Sequence, residues 1–517
     1  MKLKHISMLL GALAFSACSD FLDVKPVGKL IPTEVGQYEN LLNNSFTVGH
    51  HFLDGYWGCP MAYLGDNIQV SENQAKYDYS NNEMVLDRYA AHIFYYPYEN
   101  PLLPSSSWSA IYKASAIFNT VIEGIADLGM EEDEYAQGLL AQAYAGRSWS
   151  YLVGTLGFGP MYDPDGANDV RCFCYRTATD PSVPNPQLST TGEMFDLIEP
   201  DLNYAVEHAP DNVANPSRAS KAAAYALRAL YYMYRRDWEK MYQDADEAWT
   251  RSLAVKGGVE NMLYDYDDFY YLDDDAVSPY PGEDKEVYLR LMRRDGDVDF
   301  TESYSREHLF YRVAAASIDD VYPSDDFVAL FDKDTDQRYK LFMLHKVGFS
   351  IQDGTGLHED GVRLCYLRGE STMENAGITY PEVLLMRAEA QARLHRLPGA
   401  LADLNLLRQY RYEGEDTDLP DGESMTEDQL LEEILKERRR EMPYGSFQRI
   451  FDLRRYALDE GKPWQKLTIT HQIGDKTYEA QVTDKVFLEP MSNDCIEMNP
   501  HWGLTKWEGT YDPKGAE

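Results

Sequence analysis

The sequence predicts a mostly α-helical protein in which paired antiparallel helices form a scaffold and long insertions of loop and short β-structure cover one face. Three observations predict this. Apolar residues recur at i, i+3, i+4 spacing in several long blocks. The blocks come in pairs separated by short breaks such as Arg396-Leu397-Pro398 and Met442-Pro443. The stretches between pairs are long, rich in Pro, Gly, Asn, Asp and Tyr, and carry alternating runs that read as hairpins. Of the 517 residues, 44% are hydrophobic and 26% charged. That composition excludes a disordered or collagen-like chain, and the length suffices for a large core. The formal net charge of −38 repels phosphate backbones and anionic lipid, which argues against nucleic-acid binding and polybasic membrane adhesion.

At the start, Lys2, Lys4 and His5 precede an apolar run, Ile6–Phe15, too short to span a bilayer as a helix. Ser16 and Ala17 follow, so residues 1–17 read as a secretory signal. Small residues immediately before Cys18 resemble a bacterial lipobox, with Cys18 diacylated as the mature N-terminus, although Phe15 stands where Leu is usual. The alternative is an ordinary signal cut nearby, with Cys18 incidental. No later stretch approaches 18 consecutive apolar residues, so the lipid is the expected membrane attachment. The acids Asp20 and Asp23 resemble the surface-export signal of Bacteroidetes lipoproteins.

The first helical pair is expected over Ser109–Leu128 and Glu132–Thr155, with Ile111, Ala114, Ile117, Val121 and Ile125 forming its apolar stripe. The second covers Ser220–Arg235 and Trp238–Leu253, preceded by a single helix over Gly192–His208. The third covers Tyr380–Leu394 and Gly399–Arg411, and the fourth Glu427–Glu441 and Ser446–Asp459. Small residues such as Ala222, Ala226, Ala388 and Ala402 mark close helix approach. This is the pattern of TPR-like hairpins, whose repeat is about 34 residues. The expected organisation is an N-terminal segment 18–107, pairs one and two in 108–253, a loop-rich insertion 254–378, pairs three and four in 379–459, and a C-terminal part 460–517 with a hairpin around Gly474-Asp475. Residues 18–517 are expected to form one compact unit.

Chemistry-bearing motifs read mainly as structure. Cys59, Cys172, Cys174, Cys365 and Cys495 are too few and too odd for a disulfide framework, and are expected as small buried hydrophobes. Glu437 and Glu441 lie at i and i+4 among Arg438, Arg439 and Arg440, a spacing suited to ion pairs; Arg454 and Arg455 are expected to reach the same carboxylates. Arg387 and Glu389 read the same way. There is no His-Glu-x-x-His, Gly-x-Ser-x-Gly or Walker loop. The acidic run Asp265–Asp275 offers at most weak calcium ligation and is by default a solvated loop. No carboxylate pair stands out for glycoside cleavage.

Several motifs, taken in order along the chain, resemble the SusD/RagB family of Bacteroidetes surface lipoproteins. They are Cys18–Pro26; Trp108-Ser-Ala-Ile-Tyr112 with Asn119; Ala141–Gly159 ending in a shortened Gly-Phe-Gly-Pro turn; Asp201-Leu202 with Ala205; and Arg218–Ala224. Tyr380–Ala390 with Arg408, Glu437–Glu441 with Phe451–Arg455, and Leu488–Pro490 with Asn499-Pro500 complete the set.

The resemblance implies a SusD-like fold and a non-enzymatic protein that binds oligosaccharide nutrients and passes them to a SusC-like TonB-dependent outer-membrane transporter as its lid. A peptide-binding, RagB-like cargo is the alternative; a surface glycoside hydrolase or a scaffold without ligand are further ones. It also implies that ligand is held by the loops after the N-terminal segment and by the insertion between pairs two and three. Sugar rings stack on aromatic faces, and nearby Asp, Asn or Arg bind their hydroxyls. The candidates are therefore Tyr56, Trp57, Asp66, Asn67, Tyr77, Tyr79 and Tyr96 in the first region, and Tyr270, Tyr271 and Tyr304 in the second. Trp108, Trp149, Trp238 and Trp249 fall on helices and are assigned to the core. No cofactor is expected.

Overall fold

The computed structural model describes residues 32–44, 60–74, 77, 106–272, 290–294, 305–315, 322–367, 373–489 and 491–506. Its helices are α1 (Val35–Leu42), α2 (Ser106–Asp127), α3 (Glu134–Phe158), α4 (Thr191–His208), α5 (Lys221–Arg235), α6 (Trp238–Lys256), α7 (Asp325–Val328), α8 (Gln337–Phe342), α9 (Tyr380–Arg393), α10 (Leu397–Arg408), α11 (Glu427–Glu441), α12 (Gln448–Tyr456) and α13 (Asn493–Met498). The eight paired blocks expected from periodicity are α2–α3, α5–α6, α9–α10 and α11–α12. Their starts follow from capping chemistry: Asp133 accepts from Ala136 N, Ser220 from Ala223 N, and Thr426 forms a reciprocal capping box with Gln429.

Helix α4, read from sequence as a lone element, packs along α3 and against α5. The scaffold is thus a continuous stack from α2 through α6, joined by α9, which packs on α6, α10 and α11. Glycines permit the tightest approach. A Cβ on Gly146 would lie 2.3 Å from the ring of Phe118 on α2, and one on Gly154 2.5 Å from Phe173. This buries α3 almost all round, with Trp149 only 1% exposed. One continuous hydrophobic cluster runs from Tyr38 on α1 to Phe487 near the C-terminus.

The strands form two-stranded antiparallel pairs. The hairpin Thr468–Ile473/Lys476–Gln481 turns at Gly474, where a φ of +58° favours glycine. Within the insertion, Ser350–Asp353 pairs with Gly356–Glu359 and Met343–Val347 with Val362–Tyr366. The loop-rich segments, distant in sequence, meet in space: Ile68–Gln69 pairs with Tyr322–Pro323, Asn73 Nδ2 donates to Asp360 Oδ1 at 2.8 Å, and Glu72 lies against Gly474.

The arginine-rich motifs are structural, as their spacing implied, but with different partners. Glu437 and Glu441 accept from Arg338 Nη1, each at 2.6 Å, and Glu441 also accepts from Arg411 Nε at 2.8 Å. Arg454 and Arg455 do not reach these carboxylates. Arg455 pairs with Glu389 and Asp452, while Arg454 donates to the carbonyls of Leu156 and Gly159 at the end of α3. The reason is angular: successive helical residues point about 100° apart, so Glu437 and Glu441 face the insertion while Arg438 turns toward Asp452 of α12. Arg387 binds Asp403 and Asp246. Cys172, Cys174, Cys365 and Cys495 are buried; Cys18 and Cys59 lie outside the described residues.

Candidate functional site

Asp66 and Asn67 were expected to bind ligand, but the fold gives them another task. Asp66 is 7% exposed, and its carboxylate accepts from Arg449 Nε at 2.7 Å and from Lys466 Nζ at 2.7 Å. Arg439 donates to Asn67 Oδ1 at 2.8 Å and reaches Asp326 Oδ2 at 3.0 Å. Burial pushes the Asp66 carboxyl up, but Arg449, Arg439 and Lys466 outweigh it and hold it well below the usual carboxylate range. The cluster joins the N-terminal segment, the insertion, α11, α12 and the C-terminal part. Its oxygens face guanidinium groups, not a cleft. Its role is to fasten the loop-bearing face to the helices. His471, on the C-terminal hairpin, faces the same Asp66 and the backbone of Leu64 and Gly65; burial lowers it to about 4.

On that face, Tyr77 stacks on His358, ring centroids 3.5 Å apart and planes 11° from parallel. His358 is oriented from behind, its Nε2 3.1 Å from Asp353 Oδ1 and 2.7 Å from Thr355 Oγ1, all on the hairpin 350–359. A flat aromatic pair anchored by a carboxylate is a platform of the kind a sugar ring stacks on. Tyr270 and Tyr271 sit on the strand Phe269–Leu272, paired with Arg290–Arg293, and alternate across it. Tyr270 is 43% exposed. Tyr271, half-buried, turns inward and donates its hydroxyl to the carbonyl of Leu341, so it supports the strand. Tyr56, Trp57, Tyr79, Tyr96 and Tyr304 lie outside the described residues.

A second feature was missed by the sequence reading. A cleft of about 600 Å³ opens between the first half of α2, the loop 176–185 and α13. Trp108, assigned to the core with Trp149, Trp238 and Trp249, is half-buried and lines this cleft with Tyr112. Trp149 and Trp249 are buried, as expected, and Trp238 is half-buried. No local signal marks Trp108: the flank of α2 it occupies faces the loop 176–185 and α13, which are distant in sequence.

Among the described residues no group of three or more His, Cys, Asp or Glu side chains is gathered to hold a metal. Asp265 caps the short turn Tyr266–Asp268 by accepting from Asp267 N. No helix among them is long and apolar enough to cross a membrane.

Comparison with known proteins gives a consistent picture. A family model described as "Starch-binding associating with outer membrane" matches residues 20–233, and the SusD family model matches 369–501. The chain is 23% identical to SusD-like protein P2 of Formosa agariphila over 509 residues, covering 89% of this chain and 91% of the relative. A SusD superfamily protein of Bacteroides thetaiotaomicron superposes with a TM-score of 0.63 at 18% identity, covering 90% of this chain and 98% of that one. A SusD-like carbohydrate binding protein of Bacteroides vulgatus superposes with a TM-score of 0.56 at 16% identity, covering 90% and 97%. These solved structures share the fold described above.

Proposed function

Because the chain belongs to the SusD/RagB family, we propose that it is a surface lipoprotein, anchored through Cys18, that captures an oligosaccharide and delivers it to a TonB-dependent outer-membrane transporter as the transporter's lid. The observation that carries the reading is the position of the Tyr77–His358 stack. His358 belongs to the hairpin 350–359, between the two regions the family models match, and Tyr77 to the N-terminal segment, within the first of them. The helical scaffold is common to the family, and the hairpins it carries are where a ligand-specific surface is free to vary.

Stacking and hydroxyl contacts of this type give modest affinity, which suits a protein that must release its cargo. The acidic surface, at net −38, favours neutral over acidic glycans. Binding rather than turnover is the role assigned to this chain. Isothermal titration of the full chain against neutral oligosaccharides, with the products assayed afterwards, tests the proposal. The expected result is saturable binding with the glycan recovered intact. Cleavage of the glycan, abolished by changing one Asp or Glu, would replace capture by hydrolysis.

A further inference from the structure

The cleft beside α2 shares no lining residue with the Tyr77–His358 stack, and we infer that it is a second saccharide site, taking a short neutral oligosaccharide. The inference rests on the glycan-binding reading above and adds a second place on the molecule where that binding occurs.

The cleft's volume, about 600 Å³, falls within the roughly 300–1,000 Å³ typical of ligand pockets. Its walls are of two kinds. Trp108 and Tyr112 supply aromatic surface, with Met498, 75% exposed, as a soft apolar edge opposite. Ser109, Thr179 and Asp494 bring hydroxyl and carboxylate groups to the same cleft. Apolar rings beside scattered hydroxyl and carboxylate partners match the alternating C–H faces and hydroxyl edges of a sugar.

The walls are held in place before any ligand arrives. Trp108 packs edge-on against Phe173 and Trp502, with ring centroids 5.0 and 5.8 Å apart. Tyr112 donates to the carbonyl of Cys174 at 2.6 Å. The loop and the C-terminal segment are stapled together: Asn185 Nδ2 donates to Asn499 Oδ1 at 2.9 Å, and Trp502 Nε1 to the carbonyl of Pro186 at 2.8 Å. Such preorganisation lowers the ordering cost of binding.

Charge and backbone chemistry narrow the ligand class. Arg176 is the cation of the described lining, and it donates to the backbone carbonyls of Asp180 and Val183 and to Asn185 Oδ1. Its donors are thus largely occupied inside the protein, and the exposed carboxylate of Asp494 in the same lining repels a sulfated or uronic sugar. An extended peptide would need a strand edge to pair with, but the loop edge carries Pro181 and Pro184, which have no N–H to donate.

The test fills the cleft instead of dismantling it. Ala116 is exposed on α2 and lines the cleft, so Ala116→Trp occupies the space without removing a core side chain. Wild type, Ala116→Trp, Tyr77→Ala and the double variant are each titrated calorimetrically with neutral gluco-, xylo- and manno-oligosaccharides. Melting midpoints serve as folding controls. The expected result is that Ala116→Trp, with an unchanged midpoint, loses one binding event or at least tenfold in affinity, and that the double variant binds nothing. Met498→Ala weakens the same event by a smaller factor. Unaltered affinity and stoichiometry in both cleft variants, with Tyr77→Ala still impaired, would overturn the second site and leave the proposed function standing. If no glycan binds wild type, both fall. If the cleft variants block a peptide instead, the saccharide class is overturned.

Discussion

Asp66 Oδ1 lies 2.7 Å from Nε of Arg449, a buried contact between residues 383 positions apart in the chain. Around it gather Arg439 and Lys466, so that one carboxylate fastens the N-terminal segment to α11, α12 and the C-terminal part. The loop-bearing face is thereby fixed to the helical frame.

Removing that carboxylate leaves buried guanidinium groups without their counter-charge. Asp66→Asn is expected to cost about 3–5 kcal/mol, the usual penalty for breaking a buried pair from one side. A urea titration reads the loss as a lowered midpoint. Glycan affinity measured well below the melting range is expected to be unchanged. Lost affinity with intact stability would return Asp66 to the ligand site.

His471 gives the same cluster a pH signature. Burial lowers its folded pKa to about 4, against 6.5 for an ordinary histidine. Between those values the unfolded chain binds a proton that the folded chain does not, so stability rises with pH across that window. It falls as pH drops from 6.5 toward 4, by about 3 kcal/mol if His471 acts alone. Asp66, whose carboxyl is held low, loses its own contribution only at more acid pH. His471→Gln is expected to flatten the slope of unfolding free energy between pH 6.5 and 4.5. An unchanged slope would contradict this assignment.

Gly146 tests the close approach of α2 and α3. Alanine is intrinsically better than glycine in a helix by about 0.8–1.0 kcal/mol. At this position, however, its Cβ would sit 2.3 Å from the buried ring of Phe118. Overpacking typically costs about 1–3 kcal/mol, so Gly146→Ala is expected to lower the melting temperature. An increase would show that the ring yields and the helices are not in register-limiting contact.

At the end of α3, Arg454 donates to the carbonyls of Leu156 and Gly159, at 2.6 and 2.5 Å, in place of an acid partner. Burial lowers it to about 10. It serves as a buried cap for the negative end of that helix. Arg454→Met is expected to destabilise by about 1–3 kcal/mol through the carbonyls left unsatisfied, visible in calorimetry as a lower midpoint. A neutral outcome would mean that the carbonyls find other donors.

The helices were legible because their signals are local. The stripe Ile111, Ala114, Ile117, Val121, Ile125 needs only one turn-to-turn period, and Gly474-Asp475 announces its hairpin without reference to the rest of the chain. What was not legible depended on distance in sequence. Nothing near Asp66 announces Arg449, and nothing near Glu437 announces Arg338, because buried ion pairs are chosen by the packing of remote elements. Trp108 packs on the core but is only half-buried, and its open side was hidden for a related reason. Helical periodicity places it on α2, but whether that flank is covered depends on the loop 176–185 and α13. Tyr270 and Tyr271 show the limit within a strand: alternation says that one faces out, while the packing of one face toward Leu341 of α8 decides which.

The most direct test of the account is calorimetric titration of the full chain and of Tyr77→Ala with matched panels of neutral oligosaccharides and peptides. The account predicts saturable binding of a neutral oligosaccharide that weakens at least several-fold in Tyr77→Ala while the melting midpoint holds. Binding confined to peptides, with no oligosaccharide recognised by the wild-type chain, would contradict it.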